Sequence, residues 1–330
     1  MTLGRVNKRR PLKAIRPEYL RAYADYVGQI RAFFSQRDYV EVFPPVIVPS
    51  PGLEPHIEPF AVSGESRQGY LQTSPEYALK TLLATGLPNV YAITPCFRDE
   101  PNSATHSPQF TMLEWYRTGA DLHGLMDETE ALIKTLVTSG HGSSKRFGCD
   151  LNTTFERLSM REAFIRYAHI DPWQYACGES LRRAALKVGG RLSSMDDHWD
   201  HVFIEIFVNC VEPKLGLDRP CFIYGWPASQ AALARLDPSA PEYALRFELF
   251  AGGFELANAF DELTDADEQR ARFLTEQTER AELNRPVYPV DERFLEALEN
   301  VNPCSGIALG VDRLVMLLLE VDTITEVQSW

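Results

Sequence analysis

Between residues 17 and 37 the apolar positions Leu20, Tyr23, Val27, Ile30 and Phe34 recur at three- and four-residue steps, the stripe of an amphipathic helix. Pro17 suits its first turn. The period then changes. Residues 39–48 read as extended, and Pro44-Pro45 excludes a helix there and suits an edge strand. Ser74-Pro75-Glu76 reads as a helix start, with a capping serine, proline at the first helical position and an acid near the positive helix end. Segments 90–97 and 110–116 predict two strands joined by a polar loop. Residues 123–138 predict a helix, 139–144 a loop, and 155–215 a largely helical region broken at Pro172 and Gly189-Gly190. Pro238 and Pro241 mark another loop. Segments 247–250 and 254–260 predict strands around a Gly252-Gly253 turn, and 265–284 and 291–299 predict helices with charged outer faces.

These elements do not alternate as βαβ units. Short turns between neighbouring strands predict an α+β fold, an antiparallel β-sheet flanked by helices. No internal repeat or linker divides the chain, so residues 17–330 read as one domain behind a flexible basic tail, residues 1–16. The formal net charge of −13 argues against a surface built for nucleic-acid phosphates. No apolar run is long enough to span a membrane. The six cysteines show no CxxC spacing, which points to a reduced, cytoplasmic protein without a zinc knuckle. His198 and His201 stand at helical spacing with no nearby cysteine to complete a metal site, so a surface or partner-contact role is the simpler reading. GxGxxG and GxxxxGK[ST] are both absent, so any nucleotide must be held in another way.

Alternation along 110–116 puts Phe110, Met112, Glu114 and Tyr116 on one strand face. An acid among aromatics is costly to bury unpaired. Glu114 therefore sits at a wet strand end or meets a cation. Asn258, Phe260 and Glu262 also share a face, and Glu255 joins them only if the strand bulges near Ala257. Small residues at Gly306, Ala308 and Gly310 leave one strand face bare, either for a planar ligand or for close packing. Arg313, in the first turn of the helix that follows, opposes the helix dipole. Service to a phosphate or an adenine ring would account for it.

Taken jointly, Thr73-Ser-Pro-Glu-Tyr77, Cys96-Phe-Arg-Asp-Glu100, Phe110-Thr-Met-Leu-Glu-Trp-Tyr116, Pro227-Ala-Ser-Gln230, Glu255-Leu-Ala-Asn258 and Ser305-Gly-Ile-Ala-Leu-Gly-Val-Asp-Arg313 resemble the catalytic core of class II aminoacyl-tRNA synthetases. The resemblance runs from about residue 17 to the end. It is closest to lysyl-tRNA synthetases and their free-standing paralogues, the elongation factor P–(R)-β-lysine ligase family. It implies ATP-dependent activation of a lysine-type carboxylate and transfer to a lysine ε-amine of elongation factor P. ATP and Mg²⁺ are the implied cofactors. Arg98 would contact the α-phosphate and the substrate carboxylate, with Glu100 and His106 positioning the nucleotide. Phe110 and Arg313 would enclose adenine, and Glu248 and Glu255 would hold Mg²⁺. The substrate pocket would comprise Ser74, Glu76, Glu114, Tyr116, Asn258, Phe260, Glu262 and Ala308, its carboxylates suiting a substrate with two ammonium groups. Residues 17–48 would be motif 1, which implies a homodimer.

Ser74 and Ala308 stand where lysyl-tRNA synthetases carry alanine and glycine, which favours the paralogue. The sequence departs from the pattern at Asp99, Ser107, Gln109 and Ala259, and its motif 2 loop, Pro101-Asn-Ser-Ala-Thr105, has no arginine. With motif 1 beginning near residue 17, no room is left ahead of it for an anticodon-binding domain, so full tRNA binding is not expected. Two alternatives stay open: activation of α-lysine for another acceptor such as tRNA, and a non-catalytic regulator that binds lysine or nucleotide.

Overall fold

The computed structural model describes residues 16–65, 68–139, 144–190, 192 and 197–329. Nearly all of the basic N-terminal segment lies outside them. Helix α1 (Pro17–Ser35) opens at its proline and buries Ala22, Tyr26, Ile30, Phe33 and Phe34. This stripe is rotated from the expected one, with Tyr23 and Val27 at its margin. Pro44-Pro45 divides the extended segment between two sheets, since neither proline has an N–H for a ladder. Strand β1 (Val40–Glu41) edges the large sheet. Strand β2 (Ile47–Val48) joins β3 (Ala61–Ser63) and β4 (Gln68–Leu71) in a small one.

Helix α2 (Glu76–Leu83) starts one residue later than expected, with Pro75 in the cap position. The strands β5 (Asn89–Phe97) and β6 (Gln109–Thr118) and the helix α3 (Leu122–Ser139) follow as predicted. Most of the loop anticipated after α3 lies outside the described residues. A hairpin follows, β7 (Lys145–Arg146) and β8 (Cys149–Asp150). The region expected to be helical begins instead with a strand, β9 (Glu156–Ser159), too short to announce itself by alternation. A capping box of Ser159 and Glu162 then opens α4 (Met160–Ala163), which runs into a π-helical turn, Phe164–Ala168. Helices α5 (Gly178–Lys187) and α6 (Trp199–Ile206) complete this layer, α6 ending in a second π-helical turn.

Strand β10 (Cys221–Pro227) pairs in parallel with β9. The loop expected at Pro238 and Pro241 is tighter than the sequence suggested. It joins β11 (Leu236–Asp237) to β12 (Ala240–Ala251), and Pro241 sits where their register slips and no ladder donor is required. Gly252 and Gly253, at φ of 61° and 81°, turn the chain into β13 (Phe254–Asp261). The chain ends through α7 (Ala266–Glu282), α8 (Glu292–Leu298), β14 (Cys304–Gly310) and α9 (Val311–Leu319).

The large sheet runs β1-β5-β6-β14-β13-β12-β10-β9, with β11 beside β12. Its pairs are antiparallel except β1/β5 and β9/β10. The pleat sends alternate residues to opposite faces. One set, including Leu113, Trp115, Leu249, Ala257, Ala259, Ile307 and Leu309, packs against α1, α3 and α9 in the main core. The opposite face is covered only at its ends. Leu79 and Leu83 of α2, Phe273 of α7 and Phe294 of α8 cover the β5–β6 end. Phe164, Phe203 and Phe207 of the α4–α6 layer cover the β10–β12 end through Ile223, Trp226 and Phe250. Between the two covers lies a cavity of about 400 Å³.

Arg280 of α7, 0% exposed, closes one wall. It donates to the carbonyls of Glu54, Ile57 and Pro286 and, through Nη2, to both Glu58 oxygens at 3.1 and 3.0 Å. Those bonds hold the segment carrying Glu54 and His56, two residues of the cavity wall. Arg280→Met removes the cation from the Glu54 and Ile57 carbonyls and leaves Glu58, 30% exposed, to Arg285 and Tyr288. Chemical denaturation is expected to show a loss of about 2–3 kcal/mol. A loss below about 1 kcal/mol would mean that this wall is held by other contacts.

Candidate active site

Two adjacent transverse rows of the sheet build the floor of the cavity. Register aligns Ala92 of β5, Glu114 of β6, Ala308 of β14, Asn258 of β13 and Glu248 of β12 in one row. The next row aligns Val90, Tyr116, Gly306, Phe260 and Arg246. Residues from four distant sequence blocks therefore meet because pairing puts them side by side. Glu255 reaches the same face through a bulge. Leu249 pairs with Ala257 and Phe250 with Glu255, so Leu256 is the extra residue, next to the position where the sequence required it.

The inner end is acidic and almost dry. Glu114 is fully buried and accepts from Ser74 Oγ at 2.6 Å and Tyr116 Oη at 3.1 Å. Of the two settings the sequence allowed for Glu114, the wet strand end is excluded. Ser74 serves this carboxylate while also accepting from the Glu76 amide, so it is more than a helix cap. Burial, reinforced by Glu76, pushes the Glu114 carboxyl up to about 8, against the bonds from Ser74 and Tyr116. Lys80 lies between Glu76 and Glu262, its Nζ 2.5 Å from an oxygen of each. Burial alone would lower this ammonium, but Glu262 and Glu76 hold it above the usual lysine range. Gly306 is required for close packing: a methyl group there would strike the Tyr116 ring and Glu262 Oε1. The bare strand face is thus filled at Gly306, while at Gly310 an added methyl would meet only ordinary contacts.

The outer end carries cations. Arg98 stands 5.3 Å from the Phe110 ring centre, and its buried Nε has no hydrogen-bond acceptor. Arg313 donates to the Thr105 and Glu255 carbonyls and to His106 Nε2 at 2.7 Å. A guanidinium cannot accept, so Nε2 is the acceptor and Nδ1 of His106 carries the proton, facing Ser103 and Thr105 hydroxyls. Burial and then Arg313 hold His106 below the usual histidine range, hence neutral. Arg246 stacks over Trp226 and donates to Asn258 Oδ1 at 3.1 Å and Glu248 Oε1 at 2.6 Å. Burial and the nearby Glu255 raise Glu248 to about 8.

Fourteen of the fifteen residues singled out from the sequence line this one cavity: Ser74, Glu76, Arg98, Glu100, His106, Phe110, Glu114, Tyr116, Glu255, Asn258, Phe260, Glu262, Ala308 and Arg313. Glu248 sits just behind them, joined through Arg246. Sequence reasoning missed Lys80, Arg246 and the wall residues Glu54 and Glu276. Lys80 is signalled only by its i,i+4 spacing from Glu76, and Arg246 only by sharing a strand face with Glu248. Burial, then Glu54, raises Glu276 to about 8. Cys96 and Cys304 are buried, and burial pushes both thiols up, Cys304 to about 12, which suits packing rather than attack. The rings of His198 and His201 lie 5.1 Å apart. No metal-binding cluster of three is found among the described residues.

The raised Glu114 carboxyl has a consequence for stability. Between its unfolded range near 4.5 and its folded value near 8, the folded protein binds the extra proton, so stability falls as pH rises through that window. Glu114→Gln removes this contribution. Its melting temperature relative to wild type is expected to climb from pH 6 to pH 9. Parallel pH profiles would contradict the assignment.

Comparison with known proteins agrees with this fold. The family model for "tRNA synthetases class II (D, K and N)" matches residues 9–330. A Proteus mirabilis protein named elongation factor P–(R)-β-lysine ligase is 42% identical over 312 residues, 92% of each chain. Proteins of the same name from Hamiltonella defensa and Vibrio atlanticus are 39% and 37% identical, over 93% and 94% of each chain. The chain belongs to the class II tRNA synthetase family of the aspartate, lysine and asparagine type, and within it to the elongation factor P–(R)-β-lysine ligases.

Proposed function

We propose that this protein activates (R)-β-lysine with ATP and transfers it to a lysine ε-amine of elongation factor P. One observation carries the reading: the cavity has an unsatisfied buried donor, Arg98 Nε, toward one end and an unsatisfied buried acceptor, Glu262 Oε1, toward the other. A zwitterion with a second ammonium satisfies both. In the first step a carboxylate oxygen of the amino acid attacks the α-phosphorus of ATP and pyrophosphate leaves. In the second the acceptor amine, unprotonated, attacks the acyl carbon; an amide forms and AMP leaves. Such displacements depend on positioning and charge neutralisation more than on covalent help from the protein.

Arg98 is assigned to the α-phosphate and the substrate carboxylate, where charge builds during the first step. Phe110 and Arg313 are assigned to the adenine, Glu100 and His106 to the nucleotide's orientation. Neutral His106 offers a proton at Nδ1 without adding a cation. Glu248 and Glu255 fit Mg²⁺: two carboxylates that repel each other when alone, one of them fixed by Arg246, suit a shared divalent ion. When bound, that ion would neutralise phosphate charge. Glu76, Glu114 and Glu262 receive the two ammonium groups, with Tyr116 and Phe260 packing the methylene stem between them.

The motif 1 segment supports a homodimer in this reading. Val40, Phe43 and Ile47 are exposed along it, Phe43 by 85%. Phe43→Glu is expected to shift the protein from dimer to monomer in sedimentation; a wild type already monomeric at micromolar concentration would refute the dimer.

Ala308 stands between Glu114 and Asn258 in the floor row, so its methyl shapes the space beside the substrate's amine. Amino-acid-dependent ATP–pyrophosphate exchange is expected to favour (R)-β-lysine over α-lysine, and Ala308→Gly to shift that ratio toward α-lysine by about tenfold. Preference for α-lysine in the wild type would reopen the acceptor. Absence of exchange with either, in folded protein, would point to the regulatory alternative.

A further inference from the structure

Lys80 is an unusual residue for a pocket that takes a cation. It is 1% exposed, and its ammonium occupies the space between Glu76 and Glu262, two of the carboxylates assigned to the substrate's own ammonium groups. Its position is fixed from both sides. Helix geometry sets it one turn after Glu76, the favourable order for an acid–base pair. Glu262 approaches from the end of β13, its amide held by the Cys304 carbonyl at 2.9 Å. Tyr116 and Phe294 close the remaining sides, each ring centre 6.0 Å from Nζ.

The two oxygens of Glu262 have different surroundings. Oε2 faces Lys80. Neither oxygen has a well-aligned hydrogen-bond donor, but Oε2 is paired with the Lys80 cation, whereas Oε1 lies over Gly306, in the cavity wall.

We propose that Lys80 is a positioning residue that determines specificity: by clamping Glu262 Oε2 it favours the ionised form of that carboxylate and holds Oε1 turned to the cavity, and so makes the pocket select a side chain ending in one cation. Burial and Glu76 already push the Glu262 carboxyl up, with Asp261, Tyr116 and Cys304 also near it; without Lys80 it loses the cation that opposes this rise, holds its proton more firmly and loses its fixed orientation.

The inference rests on the reading of the cavity as a lysine-type pocket, and the test separates the two. Calorimetry on the full-length protein would measure (R)-β-lysine, α-lysine and norleucine, which lacks the terminal ammonium, with ATP binding measured alongside as a check on the fold. The wild type is expected to bind a diamino acid and discriminate against norleucine. In Lys80→Met, affinity for the diamino acid is expected to fall at least about tenfold at pH 7, with discrimination against norleucine falling equally and ATP affinity unchanged. Part of the loss returns by pH 9, as the carboxyl ionises. If Lys80→Met does not fold, Lys80→Gln, which keeps a hydrogen-bond donor without the charge, makes the same comparison. Unchanged or tighter diamino-acid binding in the folded variant overturns the role of Lys80 and leaves the lysine-type pocket standing. Failure of the wild type to bind either diamino acid overturns both.

Discussion

Three carboxylates held close together out of water are the constraint on which the rest of this molecule depends. Each of Glu76, Glu114 and Glu262 would be better solvated outside, and Glu76 makes both Glu114 and Glu262 harder to ionise. The fold meets this cost in parts. Ser74 and Tyr116 donate to Glu114, and Lys80 bridges the other two. What those contacts leave unsatisfied is a demand for further positive charge. An enzyme that must recognise a small, doubly cationic amino acid turns that demand into affinity, because the substrate supplies the missing cations.

The sheet makes the arrangement affordable. Its hidden face packs against α1, α3 and α9 and contributes a large apolar core. The other face, covered at both ends, is left open over two rows of residues. Asp312 ties this platform together from behind. It accepts from Tyr23 of α1, the Thr111 amide of β6 and Gln328 near the chain end. Arg313, the next residue, thereby has a fixed origin from which to reach Thr105, His106 and Glu255. Arg246 joins the two ends of the site, since one guanidinium holds both Asn258, proposed for the amino acid, and Glu248, proposed for the metal ion.

Much of this was legible in the sequence, for a physical reason. Residues that carry chemistry are rare types in otherwise apolar strands, so Glu114, Glu255, Asn258 and Glu262 stand out against alternation. The bulge was legible too, because Glu255 cannot share a face with Asn258 without one. What was not legible depends on partners far along the chain. Lys80 looks like an ordinary helix cation until β13 brings Glu262 beside it. Arg246 looks like a strand-edge charge until Asn258 pairs across from Glu248. Strand β9 has four residues and takes its identity from β10. The split of the extended segment by Pro44-Pro45 required knowing that two sheets were present.

The most direct test of a cavity poised for a dication is the proton count on binding. Calorimetry at pH 7 in buffers of different ionisation enthalpy, with (R)-β-lysine as ligand, measures it. Carboxyls raised toward 8 in the empty protein must give up protons as the ammonium groups arrive, so net proton release is expected. Binding with no proton exchange, or with uptake, would contradict the account.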